Sequence, residues 1–132
     1  MLKRRILSVL LVLTMLVPFA GAAQTAQDNM RGVWVASVAN IDYPSSAGMT
    51  AQALAAEADT MLDNIAAMGL NTVFLQVRPS ADALYRSGLF PQSRYVSGNC
   101  GASPDGDFDV LAYWVEGAHE RGLQLHAWIN PY

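Results

Sequence analysis

From Arg31 to Asn130 the chain alternates short β-branched and aromatic runs with longer stretches of helical spacing, and this alternation limits the possible folds more than any other feature. Arg31 to Val38 reads as a strand rich in Val and carrying Trp34. Ile41-Asp42-Tyr43-Pro44-Ser45-Ser46 is turn chemistry. Thr50 is positioned to cap a helix reaching about Met68. Leu54, Ala58, Met61, Leu62, Ile65 and Met68 recur in it at spacings of three and four, and Gly69 stops it. Asn71 to Val77 is a second strand. Arg78 to Phe108 is a long loop of about thirty residues, a length usually tied to function in compact domains. Asp109 caps a second helix with Leu111, Trp114, Val115 and Ala118 on one face, Gly122 ends it, and Leu123 to Ile129 is a third strand.

Strands alternating with helices pair in parallel through right-handed crossovers. Two architectures begin this way, a doubly wound sheet and an eight-stranded barrel. The turn Ala39-Asn40-Ile41-Asp42-Tyr43 holds no glycine, so the dinucleotide fingerprint expected after a first strand is missing. The expected fold class is therefore α/β, the N-terminal portion of a TIM (β/α)8 barrel with about three strands and two helices. The rival sheet differs in one respect: its strand order reverses around the first strand, whereas barrel strands neighbour one another in sequence.

Residues 1–22 stand apart from this pattern. Lys3, Arg4 and Arg5 precede an apolar run from Ile6 to Val17, Pro18 breaks it, and Ala20-Gly21-Ala22 supplies small residues for cleavage. This is the three-part plan of a secretory signal peptide. A membrane anchor is the rival reading, but the run falls well short of the roughly 20 residues that span a bilayer core. The expected organisation is a signal at 1–22, a polar leader at 23–30 and a partial barrel at 31–132, truncated after its third strand. The expected location is periplasmic or extracellular, with no stable membrane anchor once the signal is cleaved.

Without the signal, five basic residues face eleven acids, a net charge of −6. Phosphate backbones need a basic face, so nucleic acid is not an expected partner. Cys100 is the sole cysteine, which rules out an internal disulfide framework, and it reads as a loop thiol with no base nearby. Asp105, Asp107 and Asp109 alternate like calcium ligands but lack the closing Glu of a calcium loop, so loop solvation and capping explain them better. No metal or organic cofactor is expected.

Side chains alternate faces along a strand. His126, Trp128 and Asn130 share one face of the third strand, Phe74, Gln76 and Arg78 one face of the second, and Trp34 shares parity with Asn40 and Asp42. In a parallel barrel the site lies at the C-terminal strand ends. Asn40, Asp42, Gln76, Arg78, His126, Trp128 and Asn130 are accordingly the candidate substrate-binding residues. Aromatic faces pack on sugar C–H groups, while amide, guanidinium and carboxylate atoms match hydroxyls. Each has a plainer role: a core histidine, tryptophans filling the interior, a strand-end ion pair for Arg78, a turn cap for Asp42. Arg78 is otherwise suited to a substrate carboxylate or acetamido group. Asp42 is the one strand-end acid on offer.

Three ordered blocks carry a family resemblance. Arg31-Gly32-Val33-Trp34-Val35-Ala36-Ser37-Val38-Ala39-Asn40-Ile41-Asp42-Tyr43-Pro44 resembles the opening motif of the glycosyl-hydrolase-like family ten. Asn71 to Pro79 with Asp82-Ala83-Leu84-Tyr85 resembles its second block, and Phe108-Asp109 through Ala118 to Tyr132 its third. The resemblance implies a secreted TIM barrel that acts on cell-wall glycan in bacterial members. A glycosidase needs two carboxyl groups about 5 to 9.5 Å apart, and the resemblance implies that they sit on later strands, beyond Tyr132, with Asp42 a weak candidate. One relative is a divisome-associated glycosidase that cleaves peptidoglycan strands stripped of their peptides. The implied partners are thus a polysaccharide, with peptidoglycan glycan foremost, and the cell-division machinery. Beside this enzyme reading stands a non-catalytic carbohydrate-binding or cell-wall scaffolding protein, which would keep the cleft and lack the acids.

Overall fold

The computed structural model describes residues 29–103 and 108–131. Residues 1–22 and the leader as far as residue 28 lie outside the described residues, as do Asp105, Asp107 and Tyr132. Three strands, β1 (Gly32–Val35), β2 (Thr72–Arg78) and β3 (Gln124–Ile129), form one parallel sheet in the order β1-β2-β3. Helices α1 (Ala51–Ala67) and α3 (Val110–Glu120) lie between successive strands, and a single turn, α2 (Arg94–Ser97), sits in the long connection after β2. Sequential neighbours are what the barrel reading expects; the order does not reverse at β1.

Capping chemistry sets the helix limits. Thr50 Oγ1 accepts from the Ala53 amide at 3.2 Å and Asp109 Oδ1 from the Ala112 amide at 3.0 Å, each quenching an orphan N–H of the first turn. Beyond the far ends, Gly69 (φ 73°) and Gly122 (φ 69°) take up the left-handed conformation that turns the chain back to the sheet. Asp109 does a second job: its other oxygen accepts from the Arg86 amide at 3.2 Å and moors the long loop.

The two helices cover one sheet face. Val35, Val73, Leu75 and Val77 are buried with Leu54, Ala58, Leu62 and Ile65 of α1 and Val110, Trp114 and Ala118 of α3. The apolar stripe of α3 runs through Val110, Trp114, Gly117 and Ala118, with the anticipated Leu111 and Val115 only half-buried. Met68, expected on the inner face of α1, is exposed because the helix has ended at Ala67. Tyr43 closes the core edge-on to Trp114, ring centroids 4.9 Å apart, and donates to the Leu54 carbonyl at 3.1 Å. Outside, Arg121 bonds Asp63 at 2.6 Å and Asp59 at 3.1 Å, and the Tyr113 hydroxyl donates to Asp59 at 2.7 Å, so α1 and α3 are also laced together by charge.

Two expectations need correction. The first strand ends at Val35 instead of Val38, because Val38–Asn40 folds into a 3-10 turn with Ala39 and Asn40 both at φ 54°. That turn breaks the alternation assumed to carry Trp34's parity to Asn40 and Asp42. The connection after β2 is also not structureless: it contains α2 and a bridge pairing Ala83 with Gln92.

Candidate functional site

The uncovered sheet face is aromatic. Trp34, Phe74 and His126 are register partners across the three strands, and Gln76 pairs with Trp128 one row on. Trp34 stacks on Phe74 with centroids 4.6 Å apart and planes 15° from parallel. Trp34 also meets Trp128 edge-on at 5.1 Å, and Phe74 lies 5.1 Å from His126. These offsets suit the quadrupoles of the rings. The platform depends on Gly32: a Cβ there would come within 2.7 Å of Phe74 Cε2, so only glycine lets the Phe74 ring lie over β1. Trp34 keeps 60% of its surface exposed, a large apolar area with nothing described above it.

At the C-terminal strand ends, the polar candidates divide by what holds them. Gln76, 1% exposed, accepts through Oε1 from the Ser37 and Val38 amides, both at 2.9 Å, while the Ser37 hydroxyl donates to the Gln76 carbonyl at 2.8 Å. Its carboxamide oxygen is therefore engaged in fixing the chain just after β1. The Asn40 amide donates to the Pro44 carbonyl at 2.7 Å and the Tyr95 carbonyl at 2.8 Å, joining the β1 turn to α2. Asp42 is exposed, and its Oδ2 accepts from the Ala36 amide at 2.8 Å. Asn130 accepts from the Trp128 indole at 2.9 Å and donates to the Pro79 carbonyl at 3.0 Å, which sets the ring angle of Trp128 and ties β3 to the end of β2.

Arg78 behaves differently. A bulge between Gln76 and Arg78 shifts its register so that it pairs with Ile129. Its guanidinium carbon lies 3.6 Å from the centroid of Phe90, a loop residue. Nε is buried and has no hydrogen-bond partner among the described residues.

His126, Trp128, Arg78 and Asn130 are thus gathered on the open face and at its rim, with Gln76 buried among them and Asn40 and Asp42 in the adjoining turn. The sequence reading left three contributors off its list of site residues. Trp34 has the plainer reading of a tryptophan filling the interior, and Phe74 shares a strand face with Gln76 and Arg78 without being a candidate. Phe90 sits in the long connection, where no periodicity pointed to it. Among the described residues no cluster of three His, Cys, Asp or Glu side chains gathers to hold a metal ion, and no helix is long and apolar enough to cross a membrane.

The described residues thus form a small α/β unit of three parallel strands whose open face carries an aromatic floor, with polar side chains near the C-terminal strand ends. The match to the glycosyl hydrolase-like 10 family spans residues 29–131, and the chain belongs to that family. It is 43% identical over 116 residues to the glycosyl hydrolase YngK of Bacillus subtilis (strain 168), covering 88% of this chain and 22% of that protein. It is 35% identical over 131 residues to the glycosyl hydrolase DigH of Escherichia coli (strain K12), covering 90% of this chain and 29% of that one. The chain therefore spans between about a fifth and a third of the curated relatives it matches.

Proposed function

We propose that this chain is the substrate-positioning portion of an exported glycoside hydrolase, that its sheet begins a TIM barrel, and that the glycan it serves is the peptidoglycan strand. The observation that carries the reading is the Trp34, Phe74, His126 and Trp128 floor on the open sheet face, within a member of a glycosyl hydrolase-like family. Sugar rings lie flat on such a floor through their C–H faces, and the rim supplies hydroxyl partners.

The chain's own rim carboxylates serve its loops. Asp42 accepts from Ala36, and Asp82, 3% exposed, accepts from the Ser80 amide at 3.0 Å. In this reading the proton donor and its partner carboxylate are supplied by other parts of the whole protein, and the residues here orient the sugar for them.

Titration of the protein with peptidoglycan glycan strands, followed by tryptophan fluorescence, tests the binding half. Binding is expected to weaken roughly tenfold in Trp34→Ala, the scale of losing one aromatic contact worth about 1.4 kcal/mol. Absence of any glycan binding refutes the proposal. Release of new reducing ends by the whole protein separates a hydrolase from a binding-only protein.

A further inference from the structure

β1 forms one edge of the sheet, and among the described residues only its inner side is paired. Successive residues of a strand turn their N–H and C=O to opposite sides. The Arg31 carbonyl accepts from the Asn71 and Thr72 amides at 2.9 and 3.3 Å, so the odd-numbered residues of β1 face β2. Gly32, Trp34 and, just beyond the strand, Ala36 face the outer edge. Ala36 is already served there by Asp42. Its amide donates to Asp42 Oδ2 at 2.8 Å, and its carbonyl accepts from the Asp42 amide at 3.0 Å. One residue thus supplies both the acceptor and the donor that a neighbouring strand would bring. Among the described residues, no hydrogen bond outside the β1–β2 ladder engages the backbone of Gly32 or Trp34. Beside this edge runs a groove of about 210 Å³ between β1 and α1, with Val33, Val35, Met61, Ile65 and Met68 as its apolar wall.

We propose that the outer edge of β1 docks a strand from the part of the whole protein outside this chain, and that Asp42 is the stop that limits its pairing to Gly32 and Trp34. Unmet backbone groups along a sheet edge call for a partner backbone beside them, which an added strand supplies. The occupant is drawn from the rest of the protein because relatives have it to give: the matched portion is 22% of YngK and 29% of DigH. The seat sets its chemistry. The wall of the groove is aliphatic and thioether, so the side chain that enters it is apolar. On the open face, a strand at the usual spacing of about 4.8 Å lies against the flank of Trp34 that points away from Phe74, and covers surface that the described residues leave bare. Asp42 gains an architectural duty where the sequence offered only a strand-end acid: its carboxylate ends an edge. The inference goes beyond the glycan reading and needs no glycan.

Amide hydrogen exchange on the whole protein, resolved residue by residue, tests this. Val33 and Val35, whose amides face β2, are the internal standard. The Trp34 amide is expected to exchange at least roughly hundredfold more slowly than an unpaired amide, as they do. Exchange of Trp34 at the unpaired rate, with Val33 and Val35 protected, overturns the docking edge. Asp42→Ala is expected to speed exchange at Ala36 by about tenfold, the worth of one hydrogen bond, and to leave Trp34 protected. If Ala36 stays protected in that variant, the added strand runs past Trp34 and Asp42 is not the stop. Two further measurements on the same protein identify the occupant. Trp34 protection is expected to be independent of protein concentration and to survive deletion of residues 23–28. Protection that fades on dilution assigns the edge to a second copy, and protection lost with the deletion assigns it to the leader; either overturns the proposal. None of these readouts involves glycan, so the docking edge and the glycan reading fail separately.

Discussion

Replacing Gln76 with methionine, which is close in volume but accepts nothing, isolates the clamp after β1. The substitution strips the acceptor from two amides, Ser37 N and Val38 N, each now at 2.9 Å from Oε1. An unsatisfied buried donor costs about 1–3 kcal/mol. Ser37 is buried and carries the full penalty, while Val38 is half-buried and water recovers part of its share. The sum comes to about 2–4 kcal/mol, a large fraction of the roughly 5–15 kcal/mol typical of a domain. Ser37→Ala is the control. It removes the hydroxyl bond to the Gln76 carbonyl and leaves both clamped amides in place, for about 1 kcal/mol. Urea unfolding measures both variants, with the slope m expected to stay constant. Amide exchange gives local resolution, and Ser37 and Val38 should lose protection in Gln76→Met but keep it in Ser37→Ala. If Gln76→Met costs no more than Ser37→Ala, or exchange at Ser37 is unchanged, the carboxamide is not what holds this segment.

Gly32→Ala should cost about 1–3 kcal/mol, because the new Cβ meets Phe74 Cε2 at 2.7 Å and must push the ring off β1; near-ultraviolet circular dichroism should report the disturbed Trp34–Phe74 stack. Alkaline stability should fall through two tyrosines. The hydrogen bond to Asp59 holds the Tyr113 phenol above its ordinary value, and burial pushes that of Tyr43 well up. Both groups are raised in the folded state, so their stabilisation is complete below the unfolded value of 10.0 and is lost as pH rises through the folded ones. Unfolding curves at rising pH should show the decline, and Tyr113→Phe should make it shallower; an equal slope in the variant would exclude Tyr113 as a contributor.

Much of the scaffold was readable because local and tertiary preferences agree. Thr50 and Asp109 cap where their side chains predict, and Leu54, Ala58, Leu62 and Ile65 of α1 with Trp114 and Ala118 of α3 are buried as their spacing predicts. The strand ends were harder. Ser37 and Val38 have strand-like composition, but their amides bond to a side chain 38 or 39 residues away, and a propensity argument contains no such partner. The rim was legible as residue types and not as roles. Gln76, Asn40 and Asn130 look alike in sequence as spare amides, and only long-range geometry reveals that each serves particular backbone or ring partners. Phe90 was invisible for the same reason, since its importance comes from lying under an arginine twelve positions earlier.

The paired donation by Asn40 has a mechanical side. One amide nitrogen serves carbonyls at Pro44 and Tyr95, and Gly48 adds a backbone bond to Val96 at 2.8 Å, so two segments some fifty residues apart in sequence are riveted together. Neither segment can swing outward without dragging its neighbour. The spacing of these two loops is therefore set when the chain folds.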